Sequence, residues 1–252
     1  MQEEAPSGAL VAERHGAHVL VHAGDAADRE RSFLAGLPPT PGDVLVLASQ
    51  AAYRDPALTA SLPDLLHPVL GDGGGDGGGA GETLWLAVND LASDPALLER
   101  LSTGLGRDVL APDGPLTVLP GSGIHVGPGP GSGASSGGTG WWRTRSDVPA
   151  WLFGTRFPAP RWQTALPAGA FEAGGAVAEP VLAGIAVRDV QAPPVGPGAP
   201  AFANALDMGS PLVVVGGAGP VPAPAAVAAV LTRLPPGAVG RVVLVPGTPA
   251  VA

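Results

Sequence analysis

Cysteine is missing from all 252 residues. The chain can therefore form no disulfide, supply no thiolate nucleophile and build no cysteine-based zinc site. Lysine is missing as well: all 13 basic residues are arginine, which removes the lysine of a Walker-type phosphate loop. A net charge of −9 and a pI near 4.8 leave no basic face for nucleic-acid phosphates, and the acidity reads as a solubility device. Apolar runs such as Leu212 to Val215 fall far short of the roughly 20 residues that a membrane helix needs. The N-terminal MQEEAPSGALVAERHG is polar and acidic, unlike a secretory signal. The expectation is a soluble chain with no nucleic-acid or membrane partner, cytoplasmic as given or one piece of a longer secreted chain.

What is abundant is glycine and proline, 39 and 30 residues, enough to approach low-complexity composition. Yet 45 % of residues are apolar and the mean hydropathy is +0.27, too high for a disordered chain. Compact α/β cores separated by Gly/Pro-rich connections reconcile the two. HVLVHA (18–23) predicts a strand, Asp28 to Leu37 a helix capped by Asp25 or Asp28, and DVLVLAS (43–49) a strand buried on both faces. Pro56 to Leu70 reads as a helical segment interrupted at Pro63 and Pro68, followed by a glycine loop to Glu82. Thr83 to Val88 predicts a third strand. Asp94-Pro95 opens a helix with the apolar stripe Leu97, Leu98, Leu101 and Leu105, and Asp108 to Ala111 predicts a fourth strand.

Beyond Pro112 a hairpin is expected from Leu116 to Val126 and an edge strand near Trp141 to Arg145. From Asp147 to Pro200 only Ala183 to Val190 reads as a strand. The last fifty residues echo the first: PLVVVGG, a helix ending in Leu234-Pro235-Pro236 and RVVLV follow the order of HVLVHAG, a helix ending in Leu37-Pro38-Pro39 and DVLVLAS. The expected fold is α/β, a three-layer and mostly parallel sheet with an appended β-hairpin and a partial second α/β unit. The boundaries are 15–145 for the domain, 146–208 for a Pro/Gly-rich aromatic connection and 209–252 for the partial repeat, read as the start of a separate unit.

The strand-helix alternation closing in ALLERLSTGLGRDVLAP resembles the caspase-like peptidase fold, including CHAT-type domains, and related domains of bacterial polymorphic-toxin-like proteins. The resemblance covers Ala17 to Val126. It implies a Cys at the end of one central strand and a His at the end of its neighbour. This chain has Val88-Asn89-Asp90 and Ser49-Gln50 at those corners, so the resemblance implies a copy without the dyad. A flavodoxin-like or other doubly wound sheet accounts for the same pattern.

Other constellations are weak. His18 and His22, four apart on a strand, read as ordinary strand histidines, and His67 as a surface helix end. Ser122 and Ser132 lie in glycine turns without the nucleophile-elbow spacing. Gly216-Gly217-Ala218-Gly219 follows a strand, but Pro220, Pro222 and Pro224 break the dinucleotide fingerprint. Asp72, Asp76 and Glu82 supply too few oxygens for calcium. No cofactor and no metal is expected. Four of the five tryptophans fall between Trp141 and Trp162, interleaved with arginines. Trp141, Trp142, Arg143, Arg145, Trp151, Arg156 and Trp162 thus form the candidate contact surface for an unidentified protein partner, because Trp and Arg are the common interface anchors. The alternative structural reading lets these rings cap the end of a sheet. The favoured function is a non-catalytic interaction or scaffold module, within a larger secreted or toxin-like protein. The rival is a hydrolase with Asp25, Ser49, Asn89, Asp90 and His125 at the C-terminal ends of the central strands.

Overall fold

The computed structural model describes residues 9–24, 27–71, 83–119, 123–127, 139–146, 148–195 and 207–247. Asp25, Asp72, Asp76, Glu82, Ser122 and Ser132 lie outside the described residues, as do the glycine stretches expected as loops at 72–82 and 128–138. The fold is α/β and divides into two units: Met1–Pro112 with Trp142–Trp151, and Asp113–Trp141 with Leu152–Ala252.

The first unit opens with an antiparallel pair, β1 (Val11–His15) and β2 (His18–His22), joined through Gly16 at φ 63°. Then come α1 (Asp28–Ala35), β3 (Asp43–Ala48), α2 (Gln50–Tyr53), α3 (Leu58–Leu70), β4 (Thr83–Ala87), α4 (Pro95–Leu105) and β5 (Asp108–Pro112). Two later strands, β8 (Trp141–Arg145) and β9 (Val148–Gly154), complete a seven-stranded sheet in the order β1-β2-β3-β4-β5-β8-β9. β2 to β5 run parallel and in sequential order. Among the described strands, the parallel order shows none of the reversal of a flavodoxin-like sheet.

Strand residues alternate between faces. Val19, Val21, Val44, Val46, Leu84, Leu86, Val109 and Ala111 pack as one core against Leu58, Leu62, Leu66 and Leu70 of α3 and the predicted leucine stripe of α4. α4 begins as expected, Asp94 Oδ1 accepting from Leu97 N–H at 3.0 Å; it runs through Gly104 and ends at Gly106, which takes the left-handed φ of 62°. α1 has no side-chain cap; Asp28 is instead its first helical residue and accepts from Arg31 at 3.3 Å. α3 departs from expectation, running unbroken through Pro63 and Pro68. Four buried leucines at i, i+4 spacing contribute about 2 kcal/mol each. That offsets roughly 3 kcal/mol for each interior proline.

The second unit holds a three-stranded antiparallel sheet, β10-β7-β6, from β6 (Leu116–Leu119), β7 (Gly123–Val126) and β10 (Arg156–Phe157). Its five-stranded sheet runs β11 (Phe171–Ala173), β12 (Ala176–Val181), β13 (Gly184–Asp189), β14 (Leu212–Val215) and β15 (Val243–Pro246) in order. β11 to β13 are antiparallel; β13, β14 and β15 are parallel. Helices α5 (Pro224–Leu231) and α6 (Pro236–Val239) lie between β14 and β15 in the chain. Residues 146–208, expected as an irregular connection, thus carry β9 to β13. The stretch 209–252, read as the start of a separate unit, instead adds β14 and β15 to the sheet that β11 to β13 begin. Pairing with β13 supplies the third parallel strand that a two-strand fragment lacks.

Candidate functional site

At the C-terminal ends of β2, β3 and β4, the residues available for hydrolysis are spent on local structure. Ser49 is fully buried; its Oγ accepts from Ala52 N–H at 3.2 Å and caps α2. Asn89 is half-buried, and exposed Asp90 takes a left-handed φ of 58° to start a 3-10 turn. The Asp90 carbonyl accepts from Ser93 Oγ at 2.6 Å and Ser93 N–H at 3.0 Å. His22 Nε2 stands 3.7 Å from Glu13, beyond hydrogen-bond reach, and Glu13 is held by Arg31 Nε at 2.9 Å. His18 is buried and its Nδ1 accepts from Leu45 N–H at 3.2 Å. His125 belongs to the second unit, buried in β7, where its ring donates to the Pro180 carbonyl. No nucleophile, base and orienting acid from this set come together among the described residues. Nor does any group of three or more acids and histidines there fit a metal ion. The glycine turn after β14 uses positive φ at Gly216 and Gly217, and its groove is lined by Val221, Leu244 and Pro246 without a charged side chain.

The Trp/Arg segment divides. Trp141, Arg156 and Trp162 belong to the second unit and are buried, which removes them from any contact surface. Arg156 Nη1 donates to the Leu182 carbonyl at 3.0 Å and Nη2 to Gly184 at 2.8 Å, and its guanidinium lies 5.0 Å from the Trp162 ring centre. Burial pulls its pKa down to about 9. Trp142, Arg143, Arg145 and Trp151 stand on β8 and β9 in the first unit. Arg143 Nε donates to Asp108 Oδ2 at 2.8 Å, with a further contact from Nη2. Arg145 donates through Nε to Oδ1 and through Nη2 to Oδ2, both at 2.7 Å. The Arg143 guanidinium lies 5.7 Å from the ring of Trp151, which is 37 % exposed; the Arg145 side chain is 49 % exposed.

The residue that organises this surface, Asp108, was not among the candidates, and neither was Asp43. Each opens a parallel strand with Asp-Val-Leu, and the register sets Asp43 beside Thr83 and Thr83 beside Asp108. All three share the face of Leu45, Trp85 and Leu110, opposite the leucine-packed core. The Arg145 hydrogen bond, more than the opposing effect of burial, holds Asp108 below the usual carboxylate range, with Arg143 adding to it. Asp43 is pushed up by burial, against the Trp85 Nε1–H bond at 3.0 Å and the charge of Arg143. Asp43 also lines an open groove with Arg14, Thr40 and Pro41. The shared Asp-Val-Leu start was the sequence signal for this polar row; the pairing register that aligns it was not legible. Chemically the row fixes the guanidiniums of Arg143 and Arg145 through Asp108 and the buried Trp85 indole through Asp43. The chain matches no protein-family model, no curated protein and no solved structure.

Proposed function

We propose that the chain is a non-catalytic interaction module whose contact surface lies on β8 and β9. The observation that carries this reading is the Asp108 clamp: one carboxylate holds Arg143 and Arg145 in place beside the partly exposed Trp151. Side chains immobilised before binding lose little rotamer entropy on contact, the usual condition for an energetic anchor. What supports a frame without chemistry, in the manner of a caspase-like domain lacking its dyad, is that Ser49 is a buried cap and Asn89-Asp90 a turn.

The test is quantitative affinity capture from the native source, with wild type and a Trp151→Ala/Arg145→Ala variant as matched baits. Both side chains are partly exposed, so the variant is expected to keep the wild-type circular dichroism and to melt a few degrees lower through loss of the Arg145–Asp108 pair, remaining folded under capture conditions. Loss of a Trp/Arg anchor pair at about 2 kcal/mol or more weakens a partner by at least roughly 30-fold. A specific partner depleted to that degree from the variant bait is the expected outcome. Identical recovery on both baits sinks the reading.

A further inference from the structure

His125 and Arg156 occupy opposite positions in the antiparallel ladder of β7 and β10, and among the described residues the ladder's other pair is Phe157 with Ile124. Residues directly opposite in such a ladder point to the same face, where like charges destabilise it. Both side chains are buried, Arg156 completely. The guanidinium donates to two backbone carbonyls through Nη1 and Nη2 and lies over the Trp162 ring, while its buried Nε has no hydrogen-bond partner among the described residues. Among the described residues, the elements around His125 show no acid placed to balance a second cation. β6 sets Thr117 opposite it, and β12 supplies the Pro180 carbonyl. Glu179, next to Pro180, is held by Arg188 Nε at 3.0 Å and also accepts from Val195 N–H. Arg161, on the 3-10 turn that carries Trp162, is a further cation and is exposed.

From this arrangement we infer that the β7–β10 pair is an acid-released latch. A proton taken from solvent by the His125 imidazole sets two cations face to face in a site without an acid, and the two-residue ladder separates. Until then the latch is closed by a neutral imidazole bonded to the Pro180 carbonyl and by the Arg156 clamp on Leu182 and Gly184. The sign follows from the imidazole's two environments. Burial, reinforced by Arg156, lowers its pKa from 6.5 to about 3. Above pH 6.5 the ring is neutral in folded and unfolded chains alike, and the latch contributes fully. Below 6.5 the open form takes a proton that the closed form refuses, so closure weakens as pH falls toward 3, by tenfold per pH unit for one proton.

Urea unfolding of the full chain between pH 7.5 and 4.5, for wild type and His125→Gln, tests this. Glutamine keeps an N–H for the Pro180 carbonyl but takes up no proton. At pH 4.5 the wild-type folding constant is expected to have dropped about 50-fold more than that of the variant, relative to pH 6.5; parallel pH profiles overturn the inference. If the variant does not fold, the imidazole proton resonance of His125 in the wild type decides. A shift unchanged down to pH 4.5 supports the latch, and a titration near 6.5 in the native chain overturns it. Hydrogen exchange at acid pH separates a latch from general acid unfolding. Early loss of protection at 123–126 and 156–157 supports the latch, whereas simultaneous loss throughout the chain overturns it.

Discussion

Asp43 and Asp108 begin parallel strands on either side of β4 with the same three residues, yet their carboxyl groups face opposite electrostatics. Asp108 binds two guanidiniums, so its stabilising effect is present above the usual carboxylate range and is lost as pH falls through its lowered folded value. Asp43 is held above that range by burial, so its ionised form costs stability at neutral pH and protonation relieves it. Asp108→Asn is therefore expected to cost about 2 kcal/mol, less than the 3–5 of a fully buried broken pair because Arg145 is half exposed. Asp43→Asn keeps an acceptor for the Trp85 indole and is expected to change stability by less than about 1 kcal/mol. Chemical denaturation of the two variants at pH 7 checks the contrast; equal losses contradict it. The same scale explains Arg156. Its sequence neighbourhood resembles that of Arg143, but its carbonyl partners lie on a hairpin more than 25 residues away and could not be read locally.

Among the elements, α3 shows packing overriding propensity. Leu62→Ala is expected to cost about 3 kcal/mol through lost burial and cavity formation. Pro68→Ala, on the exposed side of the same helix, is expected to raise stability by about 1 kcal/mol or more by restoring an N–H and removing a ring clash. Thermal melts of the pair test the claim, and a neutral Leu62→Ala refutes it. The β11–β12 hairpin was legible in principle: Gly174-Gly175 between Ala173 and Ala176 is a two-residue turn with φ of 56° and 82°, a strong hairpin signature. It is obscured by small alanines in place of bulky strand formers, and by Pro180. That proline falls where β12 has outrun β11 and needs no second ladder. β15 ends its sheet with Val243 and Leu244 exposed. Val243 and Gly247 donate to β14, so by alternation Leu244 and Pro246 face outward, and Pro246 has no N–H to offer. Pro246→Thr is accordingly expected to make the chain self-associate with concentration. Unchanged light scattering up to about 100 µM would refute that role for the proline.

Taken whole, the chain sets Arg143 over the partly exposed Trp151 on a protein with a net charge of −9. Among the described residues its parallel strands follow sequential order, and the ends of β3 and β4 carry a cap and a turn. Among the described residues no helix is long and apolar enough to cross a membrane.

Sequence alone determined the α/β class, the start of α4, the buried character of β3 and the exclusion of thiol and Walker-type chemistry. Those follow from composition and from periodicities that act within one element. Tertiary structure alone decided that residues 171–189 and 212–246 share one sheet, that Asp43 and Asp108 fall in one row, and that Arg156 is buried opposite His125 while Arg145 stays half in water. Each of these depends on strand pairing between distant segments. Register is set by which faces are buried once the sheet assembles, and no local pattern of side chains encodes it.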